Sequence, residues 1–166
     1  PLTEAFEDRT SNRGQTRTIQ YFATQRIEHH PEMQGTEFEF LLGRLGYEDA
    51  KRRELLTTSP FDPLPVTTES TDECLYFDRT RHRLCGMFRD FWEANGLDLG
   101  DSGISRRESI ALFGYPISEE FVSASSGVVV QYFERARFEI HPTDEERVTI
   151  AWLGADALAQ RLSDVE

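Results

Sequence analysis

The sequence predicts an α+β fold, a repeat-built module of short β-hairpins and small helices. Three observations predict it. The first is an internal duplication. FGYPISEEF followed by VVVQYFERARFEIHP, from Phe113 to Pro142, has a partner near the start of the chain. There PLTEAF is followed, after a longer polar gap, by TIQYFATQRIEHHP. Gln20, Tyr21 and Phe22 align with Gln131, Tyr132 and Phe133, and Arg26, Glu28, His30 and Pro31 with Arg137, Glu139, His141 and Pro142. Such self-similarity speaks to architecture before chemistry. The second is that each copy sets two β-prone runs around a short gap, the pattern of a hairpin. The third is helical periodicity in MFRDFWEANG, between the copies.

Composition narrows the classes of function. With 38% hydrophobic residues and 12 Phe in 166 residues, the chain can bury a core as one domain or two small ones. A formal net charge of -12 argues against nucleic acid, which needs a basic surface, and against charge-driven docking on anionic lipid. No apolar run approaches the roughly 20 residues of a membrane helix, so no membrane insertion is expected. A nucleophile elbow, HExxH, a P-loop and the Rossmann glycine pattern are all missing. The sequence therefore predicts no enzyme, no cofactor and no metal.

In chain order, residues 1–6 are the end of a motif. The second copy of that motif is preceded by FGY, so the chain is expected to be part of a longer protein. Residues 7–16 read as a loop. RTIQYF and RIEHH form a hairpin, 32–37 a turn, and EFEFLL a strand or the entry to a helix. From Gly46 to Leu56 the chain is helix-forming and mostly polar, predicting a surface helix. Residues 1–56 thus form the back half of a first unit plus a helix. Residues 57–73 carry three prolines and a Ser/Thr/acid-rich tail, and read as exposed linker, either a spacer or a recognition segment.

Residues 74–166 form the second, complete unit. CLYFDRTRHRLC reads as strand, polar turn, strand. Met87, Phe88, Phe91 and Trp92 then share one face of a helix stopped by Asn95-Gly96, a face better suited to core than to ligand. Residues 97–108 read as a polar excursion, RVTIAWLG as a short strand, and DALAQRL as a closing helical turn or two.

The order of Gly86, an aromatic helix, FGYPIS and an aromatic hairpin resembles the LGFP repeat of bacterial surface and cell-wall proteins. It is more closely similar to extracellular modules of the Chloroflexi type with the pattern FGYPISE…VQYFERARFEYHP…LLGRLG. The resemblance covers about three quarters of the chain. It departs from the family at the tetrapeptide, which here reads Phe113-Gly114-Tyr115-Pro116, at the long 97–108 excursion and at the linker. It implies a non-catalytic, extracellular or cell-surface module, part of a longer protein, that binds or anchors to cell-wall or surface polysaccharide. Two rivals stand beside that implication. One is a structural subunit of a surface layer or extracellular filament, assembling with copies of itself. The other is a hydrolase using Glu139 and His141.

An oxidising compartment would allow Cys74 and Cys85, at matching ends of the predicted hairpin, to form a disulfide. Two free thiols are the alternative. In the tetrapeptide, Gly114 permits a tight turn and Pro116 fixes φ as the chain leaves it. Strand neighbours alternate in direction, so each Tyr-Phe pair is expected to send one ring inward and one outward. An outward Tyr21, Tyr115 or Tyr132 beside a cleft would suit a sugar ring, and packing between units is the competing reading. Arg26, Glu28 and His30, like Arg137, Glu139 and His141, fall on one strand face by their i, i+2, i+4 spacing. They are candidates for a structural brace, for ligand contact or for acid-base chemistry. Duplication favours the brace, because catalysis needs a single cleft. His29, His30 and His82, and the carboxylates from Asp98 to Asp101, offer ion-binding residue types, but neither group completes a recognised ligand pattern.

Overall fold

The duplicated segments fold into two sheets of the same order and register. The computed structural model describes residues 1–9 and 16–164. The first sheet is antiparallel, in the order β1 (Phe6–Asp8), β2 (Arg17–Tyr21), β3 (Arg26–His29), β4 (Phe40–Leu42). Its pairs Ile19↔Glu28, Gln20↔Ile27 and Tyr21↔Arg26 set the faces. Most of the loop expected at 7–16 lies outside the described residues, and Glu7 and Asp8 belong to β1.

Helix α1 (Leu45–Arg52) follows. It was expected on the surface, yet Leu45, Gly46, Asp49 and Ala50 are buried. Its polar composition hid this, because one of the buried positions is a carboxylate. Residues 57–73 are largely exposed, with a 3-10 turn at Ser59–Phe61 that carries the main apolar anchor. Phe61 is 7% exposed and packs on Tyr132 and Phe121 at ring-centroid distances of 5.4 and 6.1 Å. The Glu119 amide also donates to the Pro60 carbonyl (2.7 Å). These contacts tie the segment to the second sheet.

Strands β5 (Cys74–Phe77) and β6 (His82–Cys85) form the expected hairpin, and Cys74 and Cys85, opposite in register, are joined by a disulfide. Helix α2 (Gly86–Glu93) buries Phe88 and Trp92. Met87, expected on the same face, is 38% exposed. It lies one residue, about 100°, from Phe88, off the stripe that Phe88, Phe91 and Trp92 form at i, i+3, i+4. Helix α3 (Arg106–Phe113) begins inside the stretch read as a polar excursion. A capping box starts it. Ser105 accepts from the Glu108 amide, and Glu108 accepts from the Ser105 amide. Gly114, at φ 78°, ends it.

The second sheet runs in the order β7 (Phe121–Val122), β8 (Val129–Tyr132), β9 (Arg137–His141), β10 (Asp144–Ile150). Here Val130↔Glu139, Gln131↔Phe138 and Tyr132↔Arg137 repeat the register of the first. One face, led by Phe138, joins Phe77, Leu84, Phe88, Trp92, Phe113 and Phe133 in the main core. The other face carries Tyr132 and Val130, packed under Ala50, Leu55, Leu56 and Phe61. Tyr132 (2% exposed) and Phe133 (0%) are therefore both buried, against the expected inward-outward split. Alternation still holds, but both faces of this sheet are covered.

Helix α4 (Leu153–Ser163) closes the described chain. No helix among the described residues is long and apolar enough to cross a membrane. Helices α1 and α4 dock reciprocally. The Tyr47 amide at the start of α1 donates to the Glu134 carbonyl in the β8–β9 turn (3.1 Å). The Ala155 amide at the start of α4 donates to the Ala23 carbonyl in the β2–β3 turn (3.0 Å). Glycine is required at both contacts. A Cβ on Gly46 would fall inside the radius of the Phe133 carbonyl oxygen, and one on Gly154 inside that of Phe22.

Candidate functional site

The Arg-x-Glu-x-His motif is an ion-pair brace in both sheets. Arg26 Nε donates to Glu28 Oε1 (2.9 Å), and Arg137 Nε to Glu139 Oε1 (2.9 Å). The i, i+2 strand spacing puts guanidinium and carboxylate side by side, as the sequence implies. What the sequence did not reveal is the third partner. Adjacent acids of α1 serve the two arginines separately. Glu48 takes Arg26 through two contacts, 2.9 and 2.8 Å, while Asp49 takes Arg137 at 2.8 Å.

Asp49 is the more enclosed of the two acids. It also accepts from Arg53 and from the Tyr132 hydroxyl (3.1 Å), and pairs with Arg52. Burial pushes its carboxyl up, but the hydrogen bond and charge of Arg53, with Arg137 and Tyr132, hold it below the ordinary aspartate range. Burial and the nearby Asp49 charge push the Tyr132 hydroxyl up, so it remains a donor at neutral pH. Burial works against the charged form of Arg26, yet Glu48 and Glu28 outweigh it and keep the guanidinium protonated.

The motif histidines lie at the ends of the braces. His30 packs among Arg17, Glu28 and Glu32, with its Nδ1 3.3 Å from Glu32. His141 Nε2 is 3.2 Å from Glu139 Oε2. Tyr115 is half-buried, edge-on to Phe77 at 5.8 Å, with the Arg79 guanidinium 5.3 Å over its ring. Tyr132 is buried and offers no open ring face. His29 stacks on Phe40 and His82 is buried beside Glu119, so the three histidines considered for an ion are not gathered. Among the described residues no group of three or more His, Cys, Asp or Glu is placed to hold a metal.

Tyr21 and Arg26 have a different setting. With Leu45, Leu153, Ala157 and a rim of charged residues from α1 and α4, they line a cavity of about 350 Å³ where the helices meet the first sheet. That volume is at the low end for small-ligand sites. Five carboxylates border it: Asp8, Glu48, Asp49, Asp156 and Asp164. Arg52 and Arg161 line it too, bound to Asp49 and Asp8 respectively. Glu139 and His141 do not line it. The α4 residues of this site carried one signal in sequence. Leu153-Gly154 repeats the Leu45-Gly46 pair that opens α1, which marks α4 as the counterpart of α1.

Compared with known proteins, the chain matches no family model, no curated protein and no solved structure.

Proposed function

We propose that this chain is a non-catalytic binding module of the cell envelope, extracellular or cell-surface, that holds wall or surface polysaccharide as part of a longer protein. The cavity beside Tyr21 is the observation that carries the reading. Two motif residues line it, its floor is apolar, and its rim is rich in hydrogen-bonding groups, the composition of a small-ligand site. The equivalent position of the second sheet is filled by Asp49 and Phe61, so the reading gives one site per chain. The Cys74–Cys85 disulfide favours an oxidising location. Glu139, the acid of the hydrolase alternative, is engaged by Arg137, which favours binding over catalysis. Retention on isolated cell wall, with discrete signals on a glycan array, is the expected result. No retention together with a flat array sinks the proposal.

One observation favours assembly as a second reading. On the first sheet the face carrying Ile27, Leu42 and Phe40 joins none of the core clusters, and Phe40 is 61% exposed. The matching face of the second sheet, with Phe138 and Ile150, lies under α2. A second copy laid on that partly exposed face would make a subunit of a layer or filament. Light scattering during size exclusion should then reveal oligomers, and a monomer at all concentrations removes this reading.

A further inference from the structure

We infer that the cavity beside Tyr21 takes its ligand through a protonated primary amine. The inference rests on the polysaccharide reading for its setting, where the group would be the free amine of an amino sugar.

The second sheet serves as an internal control. There the Tyr132 hydroxyl donates to Asp49, and Phe61 lies against the ring. In the first sheet the corresponding tyrosine is Tyr21. Counting from the paired Leu-Gly steps, the residue of α4 that matches Asp49 is Ala157. No carboxylate therefore reaches the Tyr21 hydroxyl. Tyr21 is only 3% exposed; its hydroxyl meets no protein partner among the described residues, yet it is not one of the fully enclosed unpartnered atoms, so it opens to the cavity. A polar group that deeply placed normally finds a partner. Tyr21 lines the cavity, so its hydroxyl takes its partner, water or a ligand group, from there.

Charge decides which kind of partner. Every arginine at the cavity is already committed: Arg26 to Glu28 and Glu48, Arg52 to Asp49, and Arg161 to Asp8. Asp156 and Asp164, on the rim from α4, carry no ion pair. Asp164 receives only the Gln160 amide (2.8 Å) and Asp156 no side-chain donor. Asp49 is neutralised by Arg52, Arg53 and Arg137, so the charge left on the rim is that of Asp156 and Asp164, which disfavours an anion. A neutral hydroxyl would satisfy Tyr21 but leave those charges uncompensated. An ammonium satisfies both, donating to Asp156, the carboxylate with no side-chain donor, and to the Tyr21 oxygen, while its carbon stem lies on Leu45, Leu153 and Ala157.

Calorimetric titration of the full chain at pH 7 with glucosamine, N-acetylglucosamine, glucose and cadaverine tests the inference. Glucosamine should bind about tenfold tighter than its acetylated form, the scale of one added charge-assisted contact. Asp156→Asn, at an exposed position, should remove most of that preference with no change in melting temperature. Tyr21→Phe should weaken binding of both amines. Equal binding of glucosamine and N-acetylglucosamine, or wild-type amine preference in Asp156→Asn, overturns the amine inference while leaving the polysaccharide reading standing. Cadaverine bound without glucosamine supports the amine site and removes the polysaccharide reading. Failure of both amines overturns the inference.

Discussion

Asp49 is the residue on which the two halves of the molecule depend most. It is 6% exposed and neutralises Arg137 while holding the Tyr132 hydroxyl. Asp49→Asn leaves the half-buried Arg137 guanidinium with Glu139 as its remaining carboxylate, and should destabilise the fold by about 2 kcal/mol at pH 7 in urea unfolding. The pH dependence has a definite sign. The folded carboxyl lies below its ordinary range, so its stabilisation is present above the unfolded value of about 4 and disappears as pH falls through the folded one. The stability gap between wild type and Asp49→Asn should therefore narrow below about pH 4. A gap constant from pH 7 to 3 would contradict the assignment. At this scale the sequence was partly legible. The i, i+2 rule places Arg26 on Glu28 and Arg137 on Glu139, because strand geometry is local. Glu48 and Asp49 were not legible as partners, because a carboxylate on a polar helix looks the same whether it faces solvent or a neighbouring sheet.

Between elements, the reciprocal helix-to-turn contacts are the sharpest feature. Gly46→Ala forces α1 away from the Phe133 carbonyl, and Gly154→Ala forces α4 away from that of Phe22. Backbone cannot yield as a side chain does, so each should cost about 3 kcal/mol, read as a lowered urea midpoint. An unchanged midpoint for both variants would mean that the helices do not dock this way. Reduction of the Cys74–Cys85 bond should lower stability by about 3 kcal/mol on the chain-entropy estimate, with the β5–β6 hairpin as the region that loosens in hydrogen exchange. The hairpins and the aromatic helix were readable because period and turn spacing are written in the residues themselves. Helix α3 was readable too, in Ser105-x-x-Glu108, but the glycines at 100 and 103 and the polar run around them masked it. The burial of both Tyr132 and Phe133 was not readable. Alternation assigns faces but says nothing about which faces become covered, and Phe61 arrives from a proline-rich segment whose composition predicts exposure.

For the whole molecule, two sheets of matching register have unequal surroundings. The second is enclosed by its own hairpin, helices and linker, while the first keeps a partly exposed face and a cavity. Similar sequences thus perform different tasks. Tyr132 and Arg137 lie in a filled brace, while Tyr21 and Arg26 border a cavity. That difference follows from Ala157 standing opposite Asp49, and from Phe61 having no counterpart against Tyr21. The most direct test is retention of the protein on isolated wall polysaccharide, comparing wild type with Ala157→Leu, which fills the cavity floor without touching the second sheet. Retention of wild type with about tenfold weaker binding of the variant is the predicted result. Equal retention of both, with melting temperatures unchanged, would contradict a binding site at the cavity.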